Sequence, residues 1–429
     1  MTASSSASAS ADPGLVASLR GLDPDGRLLF ATRVLRMFGY GFLAVVLVLY
    51  LAALGLDGFG IGVLLTLTLV GDTLISLWLT TNADRLGRRR VLVVGAALMI
   101  LAAVLFAITR EYPLLVIAAT IGVISPSGNE VGPFLAVEQA SLSQIAGDER
   151  RTAVFAWYNV VGYLATASGS LAAGLVAGLL LAGGLGRVDA YRAIVLGYGI
   201  VGVLLALGFW RLSGRVEAPP RAHDAPTAGR LGLHRSRGIV LRLSALFSLD
   251  AFGGGLIPQS LMAYWFHLKF GVEPAVLGTI FFGANILAAV SSLSAVRIAR
   301  RIGLVNTMVF THLPSNVLLI LVPLMPNLPL AILVLLARFS ISQMDVPTRQ
   351  SYVMAVVDPD ERSAAAGVTG IARTTGAAVS PLISGPLIAS AGFAGVPFIL
   401  AGALKIVYDL ALWRAFSTVQ APEERGRRG

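Results

Sequence analysis

Cysteine is absent from the 429 residues, which excludes disulfides, thiolate chemistry and cysteine-ligated zinc. Lysine is nearly absent as well: the basic residues are 31 arginines plus Lys269 and Lys405. No phosphate-binding glycine loop, nucleophile motif or metal-ligand cluster is present, so neither an enzymatic reaction, an ATP-driven step, a metal nor a cofactor is expected. Charge of either sign is scarce, at 13% of residues against about 25% in a soluble protein. The first 14 residues lack both a basic start and an apolar run, so they read as a polar cytoplasmic tail and not a secretory signal. What is abundant is apolar: 56% of residues are hydrophobic and the mean hydropathy is +0.78. An ordinary cytosolic enzyme, a disordered chain and a fibre are all excluded, and a polytopic membrane protein remains. Arginine in place of lysine, with much Ala, Gly and Leu, is the pattern of a GC-rich bacterial genome.

A membrane-crossing helix needs about 20 mostly apolar residues. Such runs fall at 31–56, 61–81, 91–109, 113–138, 152–182, 193–212, 239–266, 274–297, 305–325, 328–356, 364–391 and 394–416, which makes twelve. The polar stretch 213–238, with Pro219, Pro220 and Pro226, reads as a flexible linker. The expected plan is an all-α membrane protein: an amino tail (1–30), a six-helix bundle (31–212), the linker (213–238), a second six-helix bundle (239–416) and a tail (417–429). With both termini and the linker in the cytoplasm, 23 of the 33 basic residues lie on that side and 4 on the other. That bias sets the orientation. It also accounts for the net charge of +10, which on a soluble protein would suggest nucleic acid. Here the partner of that charge is the anionic face of a lipid bilayer, and no nucleic-acid partner is expected.

The halves repeat. Arg36-Met37-Phe38-Gly39 stands opposite Asp250-Ala251-Phe252-Gly253, an offset of 214. Gly169-Ser170 and Ala173-Gly174 match Ser380-Pro381 and Ser384-Gly385 at an offset of 211, which also pairs Gln139 with Gln350. Duplicated halves around a midplane site are the architecture of secondary transporters.

The loop after helix 2 reads Asn82-Ala83-Asp84-Arg85-Leu86-Gly87-Arg88-Arg89-Arg90. It resembles the signature loop of the major facilitator superfamily, an Asp-Arg-x-Gly-Arg-Arg core between helices 2 and 3. The resemblance extends from about Arg33 to Phe416 and implies twelve transmembrane helices in two pseudo-symmetric bundles. By it, Asp84, Arg85, Gly87, Arg88 and Arg89 form a cytoplasmic latch; a plain positive-inside stop signal is the other reading. Thr80 replaces the family's leading glycine. Gly169 and Gly174, with Ser170 in place of the family's proline, resemble the glycine motif of proton-coupled drug antiporters. Pro381 and Gly385 carry the better version in helix 11. General packing of small residues at helix crossings explains the same pattern.

Ionisable groups inside a span are costly and usually functional. The resemblance makes helices 1, 4, 7 and 10 the cavity lining. They carry Arg33, Arg36, Glu130, Glu138, Asp250, Arg338, Asp345 and Arg349, four bases against four acids. Arg36, Glu130, Asp250, Arg338 and Asp345, with Asp72 in helix 2, are the candidate substrate and proton cavity. Arg33, Glu138 and Arg349 lie nearer the ends and suit a gate. Asp72 has no obvious partner. Arg373, and Lys405 with Asp409 one turn on, read as structural, and His312 as a packing residue. Pro133 and Pro347 predict kinks in helices 4 and 10, and Pro258 one in helix 7. Tyr264, Trp265 and Phe266 read as an interfacial aromatic belt. The expected function is secondary transport of a small solute by a monomer in the cell membrane, with proton-coupled efflux slightly ahead. The alternatives are uptake or exchange of a small organic anion, and a transport-dead receptor on the same fold.

Overall fold

The computed structural model describes residues 21–146, 151–218, 233–358 and 361–419. The tail residues 1–20 and 420–429 and the linker residues 219–232 lie outside these. The described residues form twelve helical passes. They are α1 (Pro24–Ala44 and Leu47–Ala53), α2 (Gly58–Thr81), α3 (Arg88–Ile108), α4 (Tyr112–Ile121 and Phe134–Ala146), α5 (Arg151–Ala182) and α6 (Arg187–Trp210). The second half holds α7 (Arg237–Gly255 and Gln259–Phe270), α8 (Pro274–Ile302), α9 (Leu304–Leu321), α10 (Leu328–Phe339 and Asp345–Val356), α11 (Arg362–Ala389) and α12 (Val396–Phe416). Nine of them are long and apolar enough to cross a bilayer by composition alone. The pieces of α4 and α10 are individually short, and α11 is diluted by Gly, Ser and Thr.

Breaks fall in every third pass: α1, α4, α7 and α10. Proline supplies a reason in three of them, since it removes a backbone donor. Pro126 and Pro133 lie in the α4 gap with Gly128 (φ +70°) and Gly132 (φ +78°), which take left-handed conformations closed to most side chains. Pro258 caps the second piece of α7. Pro347 sits at the start of the second piece of α10. The sequence reading expected kinks at these prolines; the helices are interrupted outright.

We call the end where α1 begins and α12 finishes the linker end, and the opposite one the far end. Inside each half, helices cross with almost no side chain between them. A Cβ on Gly41 would lie 2.1 Å from the Thr166 carbonyl, and one on Gly169 2.0 Å from that of Phe38. Between the halves two seams close the far end. On one, a Cβ at Gly385 of α11 would sit 2.4 Å from the Gly58 carbonyl and 2.7 Å from Gly62 Cα on α2. On the other, a Cβ at Gly174 of α5 would sit 2.5 Å from the Pro274 carbonyl and 2.8 Å from Gly278 Cα on α8. Gly169, Gly174, Pro381 and Gly385 thus serve close helix packing. Nearer the linker end of α11, Gly367 and Gly370 have open space beside them.

Trp265 departs from its expected place in a membrane-surface belt. It is buried and packs against Phe398 at 4.6 Å between ring centroids, because α7 turns this face toward α12.

Candidate functional site

Each half contains a buried charge cluster. In the first, α1 carries Arg33 and Arg36 one turn apart, and both meet α4. Arg36 is fully buried and grips Glu138 with two parallel hydrogen bonds of 2.6 Å. Its Nη2 also reaches Glu130 at 2.8 Å. Arg33 pairs with Glu130 and donates to the Tyr158 carbonyl at 2.9 Å. The Tyr158 hydroxyl donates to Glu138. Such bidentate, charge-assisted contacts are the strong class of ion pair. Gly162 makes room on α5: a Cβ there would lie 2.9 Å from the Arg33 guanidinium.

In the second half Asp250 of α7 accepts from Lys405 at 2.6 Å and from Arg349 at 3.4 Å. Asp345 holds Arg349 at 2.8 Å, one turn away on α10. Lys405 therefore does not pair with Asp409, as its spacing suggested. Asp409 instead bonds His312 at 2.9 Å and Asn316 at 2.8 Å, because the two residues reach different neighbouring helices. His312 is more than packing, since its other ring nitrogen stands 3.9 Å from Asp250.

The repeat explains the resemblance of these clusters. Arg36 is the counterpart of Asp250, and Glu138 of Arg349. The same helix pair is joined in each half by a buried ion pair of reversed polarity. Glu138 and Arg349, expected in a gate, thus hold α1 to α4 and α7 to α10 within their own halves.

Arg338 and Arg373 behave differently. Each lies in the field of Asp250 and Asp345. Both Nε atoms are shut off from solvent and without a hydrogen-bond partner, and neither side chain makes an ion pair among the described residues. Arg373, read from the sequence as structural, meets the same charges of the second cluster as Arg338 does, Asp250 and Asp345.

Asp72 does have partners. Its Oδ1 accepts from Gly132 N at 2.7 Å and from the Ser76 hydroxyl at 3.3 Å. The Gly132 bond is one of several that satisfy the unwound part of α4, where backbone groups would otherwise be stranded away from water. The Tyr198 hydroxyl donates to the Val123 carbonyl at 2.6 Å, and that of Tyr40 to the Val131 carbonyl at 3.0 Å. The Ser125 hydroxyl takes the Asn129 carbonyl at 2.6 Å. Ser260 N, from the α7 break in the other half, donates to the Pro126 carbonyl at 3.0 Å. Beside it the Gln259 amide donates to the Ser170 hydroxyl at 3.2 Å.

At the linker end Gly87 turns the chain with φ +96°, as its place in the signature loop requires. Asp84 pairs with Arg88 at 2.9 Å, while Arg85 is exposed. Glu217, in the stretch expected to be flexible, accepts from Arg88 N at 2.6 Å and from Arg89 N at 3.3 Å. It caps α3, where a carboxylate also meets the positive end of the helix dipole. Glu361 does the same ahead of α7, accepting from His234 N at 2.6 Å, Arg235 N at 2.8 Å and Ser236 N at 2.9 Å. Burial alone would raise its pKa; the three backbone donors and the Ser236 hydroxyl outweigh that and pull it down to about 2.

A model of the Major Facilitator Superfamily matches residues 29–346. The chain is also 33% identical over 426 residues to the uncharacterized membrane protein YJR124C of Saccharomyces cerevisiae, covering 92% of this chain and 95% of that one. This chain belongs to the major facilitator superfamily. Solved structures agree in fold. A mutant form of the nucleoside transporter NupG superposes with a TM-score of 0.72 at 14% identity, covering 91% of this chain and 100% of that one. A D-xylose-proton symporter gives 0.71 at 14% identity, covering 94% and 99%. Membership in the superfamily makes this a multi-pass membrane transporter of small solutes and not an enzyme.

Several residues of this superfamily member were beyond sequence reasoning. Tyr158, Glu217, Glu361 and Ser260 carry no motif. Arg373 and Lys405 were visible as charges inside spans, and a charge count extended to all twelve helices would have included them.

Proposed function

We propose that the protein is a proton-coupled secondary transporter, working by alternating access from a linker end that faces the cytoplasm of a cell membrane. The charge bias of 23 basic residues to 4 supports that orientation. The glycine seams at the far end and the open space beside Gly367 and Gly370 support an inward-open state. The observation that carries the coupling is Asp72. Among the carboxylates inside the spans it alone has no arginine, lysine or histidine within ion-pair distance among the described residues, and neutral donors hold it. Glu130, Asp250 and Asp345, the other carboxylate candidates, are each held by arginine or lysine. The titratable groups whose fields Asp72 meets are Glu130, Tyr40 and Tyr198.

The route from proton to motion is short. A protonated Asp72 loses acceptor strength toward Gly132 N and loosens the unwound part of α4. That segment is tied to α7 through the Pro126–Ser260 bond, so its loosening bears on the contact between the halves. Efflux rested on the glycine motif, which helix packing explains without reference to direction. The test uses proteoliposomes with a trapped pH dye and a solute panel. Solute-evoked proton movement is expected in the wild type and lost in Asp72→Asn, with solute exchange at equal pH retained. Full gradient-driven accumulation by Asp72→Asn would refute the assignment.

A further inference from the structure

The repeat that explains the paired charges also explains the unpaired ones. At the offset of 211, Arg373 on α11 is the counterpart of Gly162 on α5. In the first half the space beside Gly162 is filled by the guanidinium of Arg33, reaching in from α1. The counterpart of Arg33 is Phe247, which brings no charge. A guanidinium is therefore supplied at related places in both halves, from α1 in one and from α11 in the other. Arg33 has a carboxylate partner there, Glu130, which also touches Arg36. Glu130 lies four residues ahead of the second piece of α4, which begins at Phe134. The second piece of α10 begins at Asp345, in register with Phe134, and four residues ahead of it stands Ile341. The second half has the arginine and lacks the carboxylate.

Ile341 is half-buried in the α10 break. Arg338, the other cation without an acid in ion-pair distance among the described residues, lies three residues before it, one helical turn away. The acids nearby are engaged: Asp250 by Lys405 and Arg349, Asp345 by Arg349, Asp409 by His312 and Asn316. Counted by halves, the charges within the spans of the first are Arg33 and Arg36 against Asp72, Glu130 and Glu138, one acid in excess. Those of the second are Arg338, Arg349, Arg373 and Lys405 against Asp250, Asp345 and Asp409, one cation in excess.

We propose that the solute is a small organic anion whose carboxylate or phosphate group binds beside Ile341, within reach of Arg373 and Arg338, in the place that Glu130 takes in the first half. This deepens the transport reading and rests on it for the cavity. Guanidinium groups suit such ligands because their planar donors match two anion oxygens at once. Binding neutralises the excess cation of the second half, and a proton on Asp72 neutralises the excess acid of the first. Anion and proton therefore load together more favourably than either alone, which makes the carrier a symporter of the two.

The test is binding to the purified full-length protein in lipid nanodiscs, read by thermal shift and calorimetry. The probes are succinate, glucose 6-phosphate and inorganic phosphate, with glucose and tetraphenylphosphonium as neutral and cationic controls. At least one anion is expected to bind the wild type saturably, with affinity rising as pH falls. Arg373→Gln and Arg338→Gln should weaken it at least tenfold, and Arg373→Lys less. Ile341→Glu, which supplies the missing carboxylate internally, should abolish binding. The melting temperature without ligand should stay level or rise in Arg373→Gln, because no native pair is broken. The proposal is overturned if no anion binds, if tetraphenylphosphonium binds instead, if Arg373→Gln and Ile341→Glu bind as the wild type does, or if Arg373→Gln melts lower without ligand. A protein that binds an anion in this way but moves nothing across liposomes keeps the site and loses the transport reading. One that moves a cation on a proton gradient does the reverse.

Discussion

Replacing Gly385 with alanine tests the far-end seam at its tightest point. The new methyl would lie 2.4 Å from the Gly58 carbonyl oxygen, 2.7 Å from Gly62 Cα and 2.8 Å from Gly62 N. Comfortable carbon contacts are about 3.5–4.0 Å, so the two helices must part by roughly 1 Å. The obstructing atoms are backbone and cannot rotate aside. Overpacking of this kind costs about 1–3 kcal/mol. The cost falls only on the state in which the far end is closed, so the balance between the two openings should shift about 5–150-fold toward closure of the linker end. Gly367 and Gly370 on the same helix are the controls. Nothing lies within 4 Å of either, so alanine there adds only helix propensity, up to about 1 kcal/mol. The absence of native cysteine allows spin labels to be placed solely at Arg90→Cys and Arg300→Cys, one on each half at the linker end. Pulsed electron resonance then reads the two distance populations. An unchanged distribution in Gly385→Ala, or an equal shift in Gly367→Ala, would refute the reasoning.

Two further outcomes follow from the clusters. Arg36→Gln strands Glu138 in a site with no exposure, and breaking a buried pair in this way costs about 3–5 kcal/mol; the double variant Arg36→Gln/Glu138→Gln should melt above the sum of its singles, and strict additivity in that cycle would show that the pair is not coupled. Glu361 has a folded pKa of about 2 against an ordinary 4.5, so its stabilisation is complete above about pH 4.5 and is lost as pH falls toward 2; the wild type should therefore lose melting temperature over that acid window more steeply than Glu361→Gln, and parallel curves would remove Glu361 from the account.

The twelve passes were legible because a bilayer demands length and apolarity, and both are visible residue by residue. The breaks in α4, α7 and α10 were legible through Pro133, Pro258 and Pro347, although a missing donor does not say whether a helix bends or parts. The partners of charges were not legible. Arg36 meets Glu138 across 102 residues and Asp250 meets Lys405 across 155, and no local pattern encodes such distances. Local pattern also misled at Lys405 and Asp409, whose i, i+4 spacing suggested a pair while each found a stronger partner on another helix. Asp72 seemed alone because its main partner is a backbone N–H, which unwinding of α4 frees and which no residue letter announces.

The balance of the buried charges also bears on membrane voltage. Within the spans six cations face six acids. A potential of 100 mV acts on each net charge that crosses it with about 2.3 kcal/mol. With fixed charges that cancel, the empty carrier returns between its two openings without net work against the field. A singly charged anion travelling with the Asp72 proton adds no net charge, so its accumulation follows the pH difference and its own concentration. Depolarising the membrane should leave that flux unaltered.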